Sequence, residues 1–218
     1  MADMVFTDPP YGMGLDTDYS SMRSKLGRFE GLQGKKYERA EVDNFSPSMI
    51  SSILNHFESA KEIFVWGADY FAELLPNKNN GSWFVWDKRS NNNDNVEADE
   101  SSDKMFGSCF ELCWSREKHK REIARVKWAG IFGLSQEVDK KRWHPTQKPI
   151  ALVSWFLCKF SKPFEVVVDL FGGSGSTLIA CEQLNRKCLM MELDPHYCDV
   201  ILARWEKLTG ETAVKIAD

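Results

Sequence analysis

Short apolar runs alternate with amphipathic stretches along this chain, the pattern of strands that feed helices rather than of a helical bundle or an all-β sandwich. Met4-Val5-Phe6 reads as a brief first strand. Ser46-Pro47 marks a helix opening for Met49 to Phe57, and Glu62-Ile63-Phe64-Val65-Trp66-Gly67 follows as a buried strand. Asp69 to Leu75 predicts a short helix stopped by Pro76. Trp83 to Trp86 and Phe110 to Trp114 read as strands, with Phe64, Trp66, Phe84 and Trp86 as core aromatics. Val166 to Leu170 and Cys188 to Glu192 are further strands, Ala213 to Ile216 a weak last one, and Tyr197 packs the start of a long final helix. Strands separated by helices predict a mostly parallel α/β sheet with helices on both faces and a ligand crevice beyond the strand ends.

Two places where this rhythm breaks carry chemistry. Asp8-Pro9-Pro10-Tyr11 follows the first strand. Consecutive prolines fix φ and remove two backbone donors, so a carboxylate and a bare carbonyl converge as acceptors on a stiff loop. That arrangement suits a planar exocyclic amine, whose lone pair is delocalised into its ring, and Tyr11 offers a face for a base taken out of its stack. The second break is Asp169-Leu170-Phe171-Gly172-Gly173-Ser174-Gly175-Ser176-Thr177, a glycine turn between a strand and a helix opening at Leu178-Ile179-Ala180-Cys181. Glu192 lies about 20 residues beyond that turn, where a nucleoside-binding βαβ unit places the acid for ribose hydroxyls. Hydride chemistry has no use for the amine grip, and no Gly-Lys-Ser or Gly-Lys-Thr phosphate loop is present. A methyl sulfonium donor fits both halves.

With these motifs the chain resembles the S-adenosylmethionine-dependent amino DNA methyltransferases almost from end to end. His144-Pro145-Thr146-Gln147-Lys148-Pro149 is the third signature. The tetrapeptide precedes the cofactor turn, which resembles the circularly permuted β-type order. The resemblance implies a Rossmann-like methyltransferase fold in a single domain, 1–218. It also implies catalysis by Asp8, Pro9, Pro10 and Tyr11, with Asp8 and the Pro9 carbonyl holding the amine. Asp8 also borders the cofactor, Thr146, Gln147 and Lys148 inherit contact with its methionine end, and Phe171 lines its pocket. Asp169, Gly172, Gly173, Gly175, Thr177 and Glu192 complete the implied cofactor set. Adenine N6 is the implied target because Asp at the first motif position is commoner in adenine enzymes. A cytosine N4 enzyme, an RNA methyltransferase and a non-catalytic DNA-binding subunit stay open as alternatives.

Composition adds limits. A length of 218 residues with 43% hydrophobic content suits one domain with a sizeable core. Six cysteines show no zinc quartet, so no metal is expected. The absence of a long apolar run or a secretory pattern predicts a cytoplasmic location and no membrane partner. An earlier natural start is left open, because the tetrapeptide begins so near Met1.

The net charge of −4 speaks against DNA, but its distribution does not. Ser115 to Trp143 holds nine basic residues against four acids, about +5, which suits phosphate contact. This stretch, about 116–143, stands where larger relatives carry a target-recognition region. So small a reader implies a short target, a homodimer sharing recognition, or a specificity partner. A second basic stretch between Ser20 and Arg39 reads as a loop beside the active site, and Ser90 to Lys104 as an exposed polar loop.

Overall fold

The computed structural model describes residues 1–11, 45–76, 80–89, 108–127 and 143–216. The basic stretch at 20–39, the polar stretch at 90–104 and residues 128–142 of the expected recognition insertion lie outside them.

Among the described residues, seven strands form one sheet in the order β5-β3-β4-β2-β1-β6-β7. They are β1 Met4–Thr7, β2 Glu62–Trp66, β3 Ser82–Asp87, β4 Phe110–Ser115, β5 Ile123–Arg125, β6 Val166–Asp169 and β7 Lys187–Met190. The helices are α1 Pro47–His56, α2 Ile150–Phe160, α3 Ser176–Gln183 and α4 Pro195–Thr209, with a 3₁₀ helix at Ala68–Leu74. β1 is an interior strand, parallel to β2 on one side and to β6 on the other. It is buried on both faces, which is why its sequence is a continuous apolar run rather than an alternating one.

The two faces have separate cores. Met4, Phe6, Phe64, Trp66, Phe84, Trp86 and Val167 point toward α2 and α3, whereas Val5, Ile63, Val65 and Val168 point toward α1 and the 3₁₀ helix. Phe156 of α2 is the hub of the first core, with ring centroids 5.1 Å from Phe64, 5.3 Å from Phe6, 5.4 Å from Phe84 and 5.6 Å from Trp66. All of these pairs are edge-on or tilted, the arrangement that aromatic quadrupoles favour. The four strand aromatics expected in the core are each no more than 1% exposed.

The sheet is mostly parallel, as expected, with β4 alone antiparallel to its neighbours β2 and β3. Two expectations need correction. Among the described residues, Ala213 to Ile216 pairs with no strand, because Gly210 in the left-handed region ends α4 and the Ala213 amide turns back to Glu206 of that helix. Val214 and Ile216 are left 83% and 86% exposed. Finally, β5 falls inside the stretch read as a recognition insertion, where it pairs with β3 and buries Ala124. Part of that stretch is therefore scaffold. Among the described residues, no helix is long and apolar enough to cross a membrane.

Candidate active site

Parallel pairing of β1 with β6 brings the ends of these strands together, and the two motifs that follow them are thereby neighbours despite their distance in sequence. Leu170 donates from its amide to the Thr7 hydroxyl at 3.4 Å across this junction.

Asp8 is half-buried and both its oxygens are engaged. Oδ1 accepts a short hydrogen bond from the Tyr11 hydroxyl, and Oδ2 accepts from Lys148 Nζ at 2.5 Å. Tyr11 stacks on Tyr70, with ring centroids 5.1 Å apart and planes 18° apart. The Tyr11 phenol is held well above its ordinary pKa by burial and then by the Asp8 and Glu111 charges, so it is a donor, not an anion. Gly67 makes this placement possible. Its φ is +63°, and a Cβ there would meet Tyr11 ring carbons at 2.1 Å.

Lys148 lies in the segment before α2, whose first residue is Ile150 with Pro149 as its cap, so the third signature is a turn leading into the helix rather than its first turn. Its ammonium bridges Asp8 and Glu111 Oε2, the latter at 3.0 Å, and sits 5.4 Å from the Trp66 ring centre. Burial disfavours that ammonium, but the Asp8 and Glu111 charges outweigh burial and raise it above the ordinary lysine range. Gln147 is buried and fastens the turn, accepting from the Trp143 amide at 2.8 Å. Thr146 is exposed and bonds to His144 Nδ1.

The glycine turn is organised by two acids. Asp169 Oδ2 accepts from the Thr177 hydroxyl at 2.6 Å and Oδ1 from the Phe171 amide at 3.2 Å. Both Asp169 and Thr177 are buried, so they lock the turn to α3 from within. Glu192, just beyond β7, accepts from the Gly173 amide at 2.6 Å and from the amides of Leu193 and Asp194 at 2.9 Å each. A carboxylate has about four acceptor sites, so one remains for a ligand hydroxyl. Gly172 and Gly175 are needed largely by the protein itself. A Cβ at Gly172 would meet Met190 at 2.7 Å, and Gly175 has φ +80° against Ile201.

Burial raises the Asp169 carboxyl from 3.8 to about 7, against the pull of its hydrogen bonds. Between these values the folded chain holds a proton that the unfolded chain has released, so this group's contribution to stability falls as pH rises through the window. We expect the melting temperature of the parent to fall relative to that of Asp169→Asn between about pH 4 and about pH 7. Superimposable pH profiles would show that the acid is not buried as described.

Sequence reasoning missed Tyr70, Glu111, Lys88 and Leu193. Leu193 is 72% exposed directly beside Glu192, an apolar residue with no core to serve. That exposure is invisible in the sequence, where the residue looks like the end of a strand. Among the basic residues, Arg116 is withdrawn from any phosphate role because its guanidinium donates to the carbonyls of Glu58 and Ala60 and pairs with Glu117. Lys118, Lys120, Arg121 and Arg125 are exposed on and before the β5 edge.

A family model described as DNA methylase, covering N6 and N4 enzymes, matches residues 2–203. The chain is 21% identical over 238 residues to the type II methyltransferase M2.MboI of Moraxella bovis, covering 95% of this chain and 81% of that one. It is 25% identical over 234 residues to M.HinfI of Haemophilus influenzae, covering 94% of this chain but only 63% of that protein's length. Its fold is similar to the M1.HpyAVI–SAM complex, with a TM-score of 0.54, 17% identity and coverage of 94% and 88%. It is also similar to the cytosine-N4-specific PvuII DNA methyltransferase, with a TM-score of 0.53, 16% identity and coverage of 97% and 87%. A match that takes in Asp8 and Glu192 alike, on a sheet that sets their strands on either side of β6, places this chain in the N6/N4 DNA methylase family.

Proposed function

We propose that this chain methylates the N6 amine of adenine in DNA, with S-adenosylmethionine as donor. The observation that carries this reading is the Asp8 carboxylate at the end of β1, beside a glycine turn and a strand-end acid on the neighbouring strands. The cofactor supplies an electrophilic methyl group on a sulfonium. The residues present fit it. Glu192 keeps an acceptor site for ribose hydroxyls, Leu193 offers an exposed apolar face for the adenine ring, and Thr146 and Lys148 are the polar groups suited to the methionine end. Phe171, half-buried in the turn, closes the same side.

The chain's own work is positioning and charge. Asp8 and the Pro9 carbonyl accept the two amine hydrogens, which localises the lone pair on nitrogen and holds it for in-line attack. Pro10 keeps the loop from relaxing. Tyr11, braced by Tyr70, provides the aromatic wall for the extruded base. Methylation leaves one proton too many on the nitrogen, and Asp8 is the acceptor in place to take it on toward solvent. No cysteine takes part. The exposed cations on and before β5 supply phosphate contacts.

Base analogues test this reading. Label from methyl-tritiated cofactor should enter duplex DNA, and should be lost when adenines are replaced by purine, which lacks the amine. Transfer that survives this change but vanishes when cytosine loses its amine would assign the enzyme to cytosine N4, and transfer to RNA alone would remove DNA as substrate.

A further inference from the structure

Asp8 is shared in the resting site. Each of its oxygens already accepts one hydrogen bond, from Tyr11 and from Lys148, and at Oδ2 the substrate amine competes with a buried ammonium. Moving that ammonium off Asp8 with no second anion to receive it would cost several kcal/mol.

Glu111 removes that cost. It stands at the start of β4, two strands from Asp8, and both its oxygens face lysines: Oε1 pairs with Lys88, and Oε2 lies 3.0 Å from Lys148. Oε2 is buried yet makes no well-aligned hydrogen bond, so the 3.0 Å contact is an ion pair with an acceptor direction still vacant. Two carboxylates and two ammoniums thus form a neutral set in which one ammonium has two anions within reach. Burial would raise the Glu111 carboxyl, but Lys148 and Lys88 outweigh it and hold it at about 2, so the anion persists at any working pH. Lys88 is itself fixed 4.8 Å from the Trp86 ring centre, which anchors the far end on the core.

Resting on the reading of Asp8 as the amine grip, we propose that Glu111 is a positioning residue: it keeps Lys148 beside Asp8 and receives its ammonium when the substrate amine takes Oδ2. A small rotation toward Oε2 completes the vacant hydrogen bond while Asp8 turns to the amine. Charge is conserved throughout. Glu111 never touches substrate, so it acts only through Lys148.

The test is a cycle of Glu111→Gln, Lys148→Gln and the double variant, read as single-turnover methyl transfer to DNA. Glu111→Gln should lower the transfer rate about 10- to 100-fold while changing the KM for cofactor by less than about threefold. In the Lys148→Gln background the same change should cost less than about threefold, because the group it acts through is gone. Losses that multiply across the cycle, or a Glu111→Gln rate equal to the parent's, would overturn the proposal. Should Glu111→Gln melt without cooperativity, Glu111→Asp takes its place, and the same coupling decides. An Asp8→Ala control separates the two levels. A fully active Asp8→Ala removes the site reading itself, whereas an inactive one with multiplying losses removes Glu111 alone.

Discussion

Asp8→Ala is expected to lower methyl transfer by at least about 1000-fold while the chain stays folded and retains cofactor binding. The expectation follows from what surrounds the carboxylate. Among the described residues, Asp8 is the only acid placed to meet the amine at the end of β1, because Glu111 lies behind Lys148 and Asp169 is turned inward to Thr177. No described neighbour can take over the amine. Stability should suffer little, since Lys148 keeps Glu111 as a counterion and β1 loses none of its buried side chains. Asp8→Asn should fall between the two, since its amide oxygen accepts one amine hydrogen but its NH₂ group opposes Lys148. Single-turnover transfer with a parallel cofactor titration checks both parts. A variant that loses cofactor binding as severely as transfer would mean that Asp8 holds the cofactor rather than the amine.

Gly67→Ala carries the second large effect, on a residue that makes no contact with any ligand in this account. Its positive φ costs about 1–2 kcal/mol once a Cβ is present. The Cβ would also stand 2.1 Å from the Tyr11 ring, so the ring or the 3₁₀ helix has to move, at about 1–3 kcal/mol. A loss of about 2–5 kcal/mol in a chain of this size lowers the melting temperature by about 5–15 °C. Activity should fall as well, because a displaced Tyr11 leaves both Tyr70 and Asp8. Melting and transfer measured on the same preparation test this. A Gly67→Ala protein with parental melting and parental rate would mean that Tyr11 does not rest against residue 67.

Much of this was legible in the sequence because periodicity and punctuation coincide there. β1 with its two prolines, and β6 with its glycine turn and Glu192, are local signals, and local signals place the strands that meet at the crevice. What stayed hidden was long-range. Nothing in Phe110-Glu111-Leu112 says that β4 reverses direction between β2 and β3, yet that reversal carries Glu111 to Lys148. Nor does the sequence show that Tyr70 lies on Tyr11, since that depends on a left-handed glycine between β2 and the 3₁₀ helix. β5 was missed because three residues among charged neighbours have too little pattern to count, and Arg116 looked like a DNA contact until its carbonyl partners were seen.

The destination of the methyl group decides between the bases. The purified chain is incubated with methyl-tritiated S-adenosylmethionine and long mixed-sequence DNA from a source without adenine or cytosine methylation, and the DNA is then digested to nucleosides and separated. Label is expected in N6-methyl-2′-deoxyadenosine, and is expected to be lost when Asp8 is replaced by alanine. Label in N4-methyl-2′-deoxycytidine would contradict the assignment of the base, and DNA that stays unlabelled would contradict the function proposed for the site.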